Sequence, residues 1–161
     1  MHGSIAAEEH YRRGKELLER GDEAAAHEHF QTAATLAPHC PRYQSYYGLG
    51  LALVDRRFHR AVEICRAAAK EEFFNPEVYH NLARVHLAFG FKAEGIRFLR
   101  RGLMIDPVNE DLRGALEYLG LRQLPVLRFL PRGHLVNRLL GRVRERIRAT
   151  AGEGSAESSP A

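Results

Sequence analysis

The sequence predicts an all-α protein in which three pairs of antiparallel helices stack into a solenoid. The first indication is a repeat: the small residues Ala26, Ala61 and Gly95 stand 35 and 34 positions apart. A period of this length is typical of helix pairs that stack side by side. The second indication is the recurrence of turn residues, including Gly21 and Gly90, where such helices would have to end.

Each small residue opens a short pattern that recurs in all three copies. A larger residue follows four positions later and another small residue three positions after that, and small residues at a helix crossing let two backbones approach closely. The three sets are Ala26, Phe30 and Ala33; Ala61, Cys65 and Ala68; and Gly95, Leu99 and Gly102. Their expected partners on the first helix of each pair are Gly14, Gly50 and Ala83. Helices are predicted near 5–20, 23–37, 42–55, 58–72, 76–89, 92–104 and 109–119.

The second copy departs from the others in this alignment. Matching Gly50 to Ala83 leaves it one residue short in the turn between its two helices. Matching Pro76 to Pro38 and Pro107 leaves it three residues long before that proline. The segment 109–119 is predicted to cap the apolar end of the stack.

The third copy, which ends at Pro107, resembles the tetratricopeptide repeat (TPR) family. Signature positions of that family are filled by Tyr79, Leu82, Ala83, Gly95, Leu99, Gly102 and Pro107. The resemblance covers residues 7–107 and implies a right-handed α-solenoid. It divides the chain into a repeat domain over 1–120, with repeats at 7–38, 43–75 and 76–109 and a cap at 110–120.

Composition sets limits on the compartment and on chemistry. Of the 161 residues, 45% are hydrophobic, as in a folded domain, and no segment reads as a signal peptide or a membrane span. Cys40 and Cys65 form no metal-binding or disulfide pattern, which favours a reducing, cytoplasmic setting. The nine histidines show no metal-ligand spacing, and no catalytic or phosphate-binding motif occurs. We therefore expect no enzyme activity, metal or cofactor.

The resemblance implies that the first helix of each pair lines a concave groove that binds a partner peptide. The positions it assigns to the groove are filled by Tyr11, Arg12, Lys15, Leu18, Tyr47, Leu51, Val54, His80, Asn81, Arg84 and Leu87. Cations such as Arg84 could hold a carboxylate, and Asn81 could pair with an extended backbone. The alternative interpretation is that these positions are solvated or belong to the core.

The expected function is a non-catalytic adaptor, scaffold or chaperone-like module for a peptide with apolar and acidic character. One TPR subtype clamps a C-terminal carboxylate with a specific set of Lys, Arg and Asn. Arg12 and Lys15 do not occupy the first-repeat positions of that set, so the sequence does not support the subtype. Partner identity and oligomeric state are left open.

The C-terminal extension, residues 121–150, is basic. Residues 121–161 carry 8 Arg and 3 Glu, whereas residues 1–120 carry 16 basic and 17 acidic residues. Residues 134–148 are predicted to form an amphipathic helix, and 151–161 a disordered tail. Three interpretations remain open: the apolar stripe packs on the repeats, or residues 132–148 bind an anionic membrane surface, or they bind nucleic acid or a second protein.

Overall fold

The repeat spacing produces seven helices in the computed structural model, which describes residues 2–120. They are α1 (His2–Glu19), α2 (Glu23–Leu36), α3 (Pro41–Leu53), α4 (Phe58–Glu71), α5 (Pro76–Ala88), α6 (Lys92–Ile105) and α7 (Glu110–Tyr118). Consecutive helices α1 and α2, α3 and α4, and α5 and α6 pack as pairs, and α7 packs on α6. The part of the chain described contains no strand. The predicted helical solenoid with a capping helix is confirmed.

Local sequence signals mark where four of these helices begin. Asp22, Asn75 and Asn109 cap α2, α5 and α7, because each side-chain oxygen accepts a hydrogen bond from a backbone N–H in the first turn. Pro41 and Pro76 are the first residues of α3 and α5, where a missing N–H costs nothing.

In the second pair, the residue of α3 at the helix crossing lies two positions before the predicted one. A Cβ added to Gly48 would lie 2.6 Å from Cys65 Sγ and 3.2 Å from the Ala61 carbonyl oxygen, both within the same pair. Gly50 instead faces His27 of the preceding pair. Gly48, and not Gly50, is therefore the equivalent of Gly14, whose missing Cβ makes room for Phe30.

The turn between α3 and α4 was predicted to be one residue shorter than its counterparts. In the observed register it is one residue longer. Arg57 N–H donates to the carbonyl of Leu51, six residues back, whereas Asp22 N–H donates to the carbonyl of Leu17, five residues back. Gly21 and Gly90 take the left-handed conformation in the first and third turns, and Arg56, with φ of 56°, takes it in the second. A non-glycine residue there is strained, and the glycine signal that marks the other two turns is missing.

The expected three-residue excess before Pro76 is also wrong. Each of the connections 37–40, 72–75 and 106–109 contains four residues between helices. Pro76 matches Pro41 at the start of a helix, and Phe73 stands where the other two connections have Pro38 and Pro107. The proline match was misleading because proline suits both positions, at the end of one helix and at the start of the next.

Two apolar clusters form the core. The larger centres on α3, α4 and α5 and includes Leu49, Cys65 and Leu82, all at most 1% exposed. The smaller joins α1, α2 and α3 through Tyr11, Phe30 and their neighbours. Leu18 and Tyr47 contact both clusters, so the stacked pairs share a continuous interior.

No helix among residues 2–120 is long and apolar enough to cross a membrane. The predictions for the basic extension, including the amphipathic helix over 134–148 and its three interpretations, lie outside the described residues.

Candidate functional site

The first helices of the three pairs share one face, which we call the inner face: the side-chain surface of α1, α3 and α5 around Glu77. The Glu77 carboxylate accepts hydrogen bonds from the Tyr11 hydroxyl at 3.3 Å, from Lys15 Nζ at 3.0 Å and from the Tyr46 hydroxyl at 3.3 Å. Tyr11 and Lys15 belong to α1 and Tyr46 to α3, so this one carboxylate from α5 connects all three pairs.

Glu77 is held in place by the start of its helix. Pro76 fixes the first backbone dihedral of α5, and the Asn75 side chain accepts from the Glu77 N–H at 2.9 Å. An acidic side chain in the first turn also interacts favourably with the helix dipole. The carboxylate is therefore positioned by its own helix before it meets the donors of α1 and α3.

Burial and charge shift the proton affinities of these donors. Burial raises the pKa of Tyr11 and of Tyr46, and the Glu77 carboxylate acts in the same direction on both phenols. Burial alone would lower the pKa of Lys15, but its interactions with Tyr46 and Glu77 outweigh this effect and raise it. At neutral pH both phenols are hydrogen-bond donors and Lys15 is a cation.

A second acidic group stabilises the outer end of the same face. Glu8 of α1 accepts from the Tyr43 hydroxyl at 2.6 Å and from Arg42 at 3.0 Å. The Arg42 guanidinium lies over the Tyr11 ring, 4.8 Å from its centroid. Tyr11 thus lies between two carboxylate clusters, with the Tyr43 and Tyr46 rings each 5.1 Å away.

Arg84 differs from the other cations of the inner face. Its guanidinium is partly buried, and within residues 2–120 it has no ion-pair partner at hydrogen-bonding distance. Burial lowers the pKa of Arg84, while Tyr46, Glu23 and Asp111 act against this shift. Burial and the Arg84 charge also lower the pKa of the neighbouring His80, against Asp111 and Glu77. Arg84 stays charged, since guanidinium groups do not lose their proton in proteins.

The structure brings together four of the predicted groove residues: Tyr11, Lys15, His80 and Arg84 all interact with Glu77, with Tyr46 or with each other. Arg12 lies elsewhere. It lines an outer depression together with His10 and His29 of the first pair.

Most of the remaining predicted residues contribute to packing, whereas Val54 at the end of α3 is 37% exposed. Leu51 is 2% exposed within the larger core cluster, and the Tyr47 ring stacks on His27 of α2 at 5.7 Å. Both assignments followed from the two-residue register error in α3. Asn81 is 2% exposed and donates to Ser45 Oγ at 3.1 Å, so it is not free to pair with a peptide. Leu87 packs against Gly95 within the third pair.

Sequence reasoning missed two members of this site. Tyr46 was not predicted because of the register error: two residues before the crossing glycine, the predicted alignment places Gly48, whereas the structure places Tyr46. Glu77 was not predicted because cations, not carboxylates, were expected to meet an acidic ligand, although Asn75, Pro76 and Glu77 together form a recognisable helix start. Within the described part of the chain, no group of three or more His, Cys, Asp or Glu side chains is arranged to hold a metal ion.

Solved structures share this arrangement of helices. The TPR domain of Arabidopsis OM64 aligns with a TM-score of 0.56 and 17% identity, covering 73% of this chain and 96% of that one. This is the tetratricopeptide repeat fold. The first TPR domain of Spaghetti (RPAP3), bound to the HSP90 peptide SRMEEVD, aligns with a TM-score of 0.56 and 16% identity over 73% of this chain and 94% of its own.

A third TPR structure is the second TPR domain of human RPAP3 in complex with the HSP70 peptide SGPTIEEVD. It aligns with a TM-score of 0.54 and 13% identity, covering 74% of this chain and 97% of that one. No protein-family model matches the sequence, and comparison with curated proteins gives no match.

Proposed function

We propose that this TPR domain is a non-catalytic protein interaction module that binds a segment of a partner protein on its inner face. The observation that carries the proposal is Arg84, a partly buried guanidinium on that face without an ion-pair partner among residues 2–120. A partly desolvated cation gains more from an incoming carboxylate than an exposed one does.

The pairing of the other inner-face charges supports this assignment. Lys15 pairs with Glu77 at 3.0 Å, and Arg42 pairs with Glu8 at 3.0 Å. Both pairs connect helices of different repeats, so they hold the stack in one shape and are occupied before a ligand arrives. Arg84 is left to supply the charge that recognises a ligand.

The expected ligand is a peptide segment with an acidic group for Arg84. A guanidinium can grip a carboxylate with two parallel hydrogen bonds, which gives direction as well as affinity. His80 lies beside Arg84, and its lowered pKa makes it neutral at pH 7, so it can donate or accept one hydrogen bond with the peptide backbone. Two of the similar TPR structures hold acidic peptides, which supports peptide binding by the fold.

Affinity capture with the full chain tests the proposal. We expect Arg84→Gln to reduce recovery of the bound partner at least tenfold, about 1.4 kcal/mol, with an unchanged circular dichroism spectrum. Arg12→Gln is the matched control, because it removes the same charge from the same fold at the outer depression of α1. Quantitative mass spectrometry of the captured proteins gives the comparison. Equal recovery by both variants would exclude the inner face as the binding site.

A further inference from the structure

A second surface lies on the opposite side of the third pair, in a groove of about 840 Å³ between α4 and α6. Side chains of Ala69, Tyr79 and Leu82 form its buried floor, and Ile96 and Met104 extend the apolar surface along α6. Met104 is 64% exposed, so part of this apolar surface faces solvent. We refer to this surface as the α4–α6 groove.

The rim of the α4–α6 groove carries five cations and no acidic residue: Arg66, Lys70, Arg97, Arg100 and Arg101. Within residues 2–120 none of the five forms an ion pair. Two of them lie over aromatic rings. The Arg97 guanidinium carbon is 5.4 Å from the centroid of the Phe98 ring, and the Arg101 guanidinium carbon is 5.5 Å from the centroid of the Tyr79 ring. Such contacts hold a guanidinium in place without neutralising it.

The equivalent helix positions one repeat earlier carry different side chains. Helices α2, α4 and α6 each contain 14 residues, so positions can be matched from their starts. Arg66 and Lys70 of α4 then correspond to Gln31 and Thr35 of α2, and Arg97 and Arg101 of α6 correspond to Glu63 and Ala67 of α4. Only Arg100 has a basic counterpart, Arg66, so the fold does not require a cation at the other four positions of the rim.

From this charge pattern we infer that the α4–α6 groove binds an acidic amphipathic helix of a partner protein. Apolar anchors of such a helix at i, i+3, i+4 and i+7 would cover the floor, and acidic side chains beside them would meet the cations on both walls. The combination of an apolar floor and a basic rim fits a protein helix better than a polyanion. A nucleic acid offers phosphates but no side chains for the apolar floor, and a planar bilayer surface does not enter a cleft between two helices.

The test uses the full chain and a fluorescent model peptide of about 18 residues, five turns of helix. The peptide carries leucines at the four anchor positions and glutamates on the flanks. A second peptide of identical composition has the leucine stripe scrambled. Fluorescence anisotropy at physiological salt should show the first peptide binding at least tenfold more tightly than the second.

The double substitution Arg97→Gln and Arg101→Gln should weaken binding of the first peptide at least tenfold. The control pair, Arg20→Gln and Arg57→Gln, makes an equal change of charge at exposed positions and should weaken binding less than twofold. Arg84→Gln on the inner face should also have little effect, which separates this site from the proposed function.

Three results would overturn the inference. One is equal binding of the two peptides, and another is equal binding by the groove variant and its control. The third is binding of a DNA duplex or of phosphatidylserine vesicles that depends on Arg97 and Arg101 and exceeds that of the peptide, which would assign the groove to a polyanion.

Discussion

At the scale of single residues, Glu77 connects all three helix pairs. Its carboxylate accepts from Tyr11, Lys15 and Tyr46, which belong to two other helices. The Glu77 side chain is 34% exposed and that of Lys15 is 37% exposed, so solvent screens part of the attraction. The interaction matters both because it joins α1 to α5, which are distant in the sequence, and because it pairs opposite charges.

Replacing Glu77 by Gln should therefore lower the free energy of unfolding by about 1 kcal/mol, because the amide keeps one acceptor but loses the charge. Urea denaturation of the full chain measures the change. Glu71→Gln, at an exposed position in the last turn of α4, is the control and should shift stability by less than about 0.5 kcal/mol. Equal effects of the two substitutions would show that the Glu77 cluster does not stabilise the stack.

His86 is a second residue with a measurable consequence. It is 4% exposed, lies against the rings of Phe58, Phe91 and Phe98, and neither ring nitrogen has a partner within the described residues. Burial lowers the pKa of His86, with Arg66 and Arg97 acting in the same direction and Glu94 against it. Because the unfolded state then binds protons more readily, His86 makes the fold less stable as pH falls below the unfolded pKa of about 6.5.

The substitution His86→Leu should raise the free energy of unfolding by about 1–2 kcal/mol at pH 7, since two unsatisfied polar atoms are removed from the interior. It should also reduce the loss of stability between pH 7 and pH 5, to which His80, whose pKa is lowered too, also contributes. Thermal melts across that pH range measure both effects. A variant that is less stable and equally sensitive to acid would contradict this assignment.

At the scale of helices and turns, close approach of the two helices in a pair depends on particular glycines. At Gly48 a Cβ would press on Cys65 Sγ and on a backbone oxygen that cannot move independently. At Gly114 in α7 nothing lies within 4 Å. Gly48→Ala should therefore cost about 1–3 kcal/mol through overpacking, and Gly114→Ala should gain up to about 1 kcal/mol through helix propensity. Melting temperatures that move the same way in both variants would contradict the observed register of α3.

The same helix shows why part of the site could not be predicted. Gly48 and Gly50 are both small and lie two residues apart, so spacing alone allowed either to be the crossing residue. Only the partners decide between them: Ala61 and Cys65 of α4 lie against Gly48, and His27 of the preceding pair lies against Gly50. The choice rotates the whole helix, which is why Tyr47 and Leu51 were expected in the groove and Tyr46 was not.

On the scale of the whole repeat domain, the architecture could be predicted from the sequence. Three pairs and a capping helix were predictable because small residues recur at a fixed distance and most turns and connections carry a glycine or a proline, such as Gly90 or Pro107. Interactions between pairs were not predictable in this way. The contact of Glu77 with Lys15 spans 62 residues, and no local pattern encodes it.

The two proposed surfaces lie on different layers of the stack, the inner face on the first helices and the α4–α6 groove on the second helices over α5. Together they would allow the domain to hold two protein segments at once. Such double occupancy increases apparent affinity when both segments belong to one partner.

Hydrogen–deuterium exchange of the full chain, with and without the partner recovered by affinity capture, tests the central claim most directly. If the partner binds the inner face through Arg84, exchange should slow in α1 around Tyr11 to Leu18 and in α5 around His80 to Leu87. The same protection should be lost with Arg84→Gln and kept with Arg12→Gln. Slower exchange confined to α2, α4 and α6, or protection that survives Arg84→Gln, would contradict binding at the inner face.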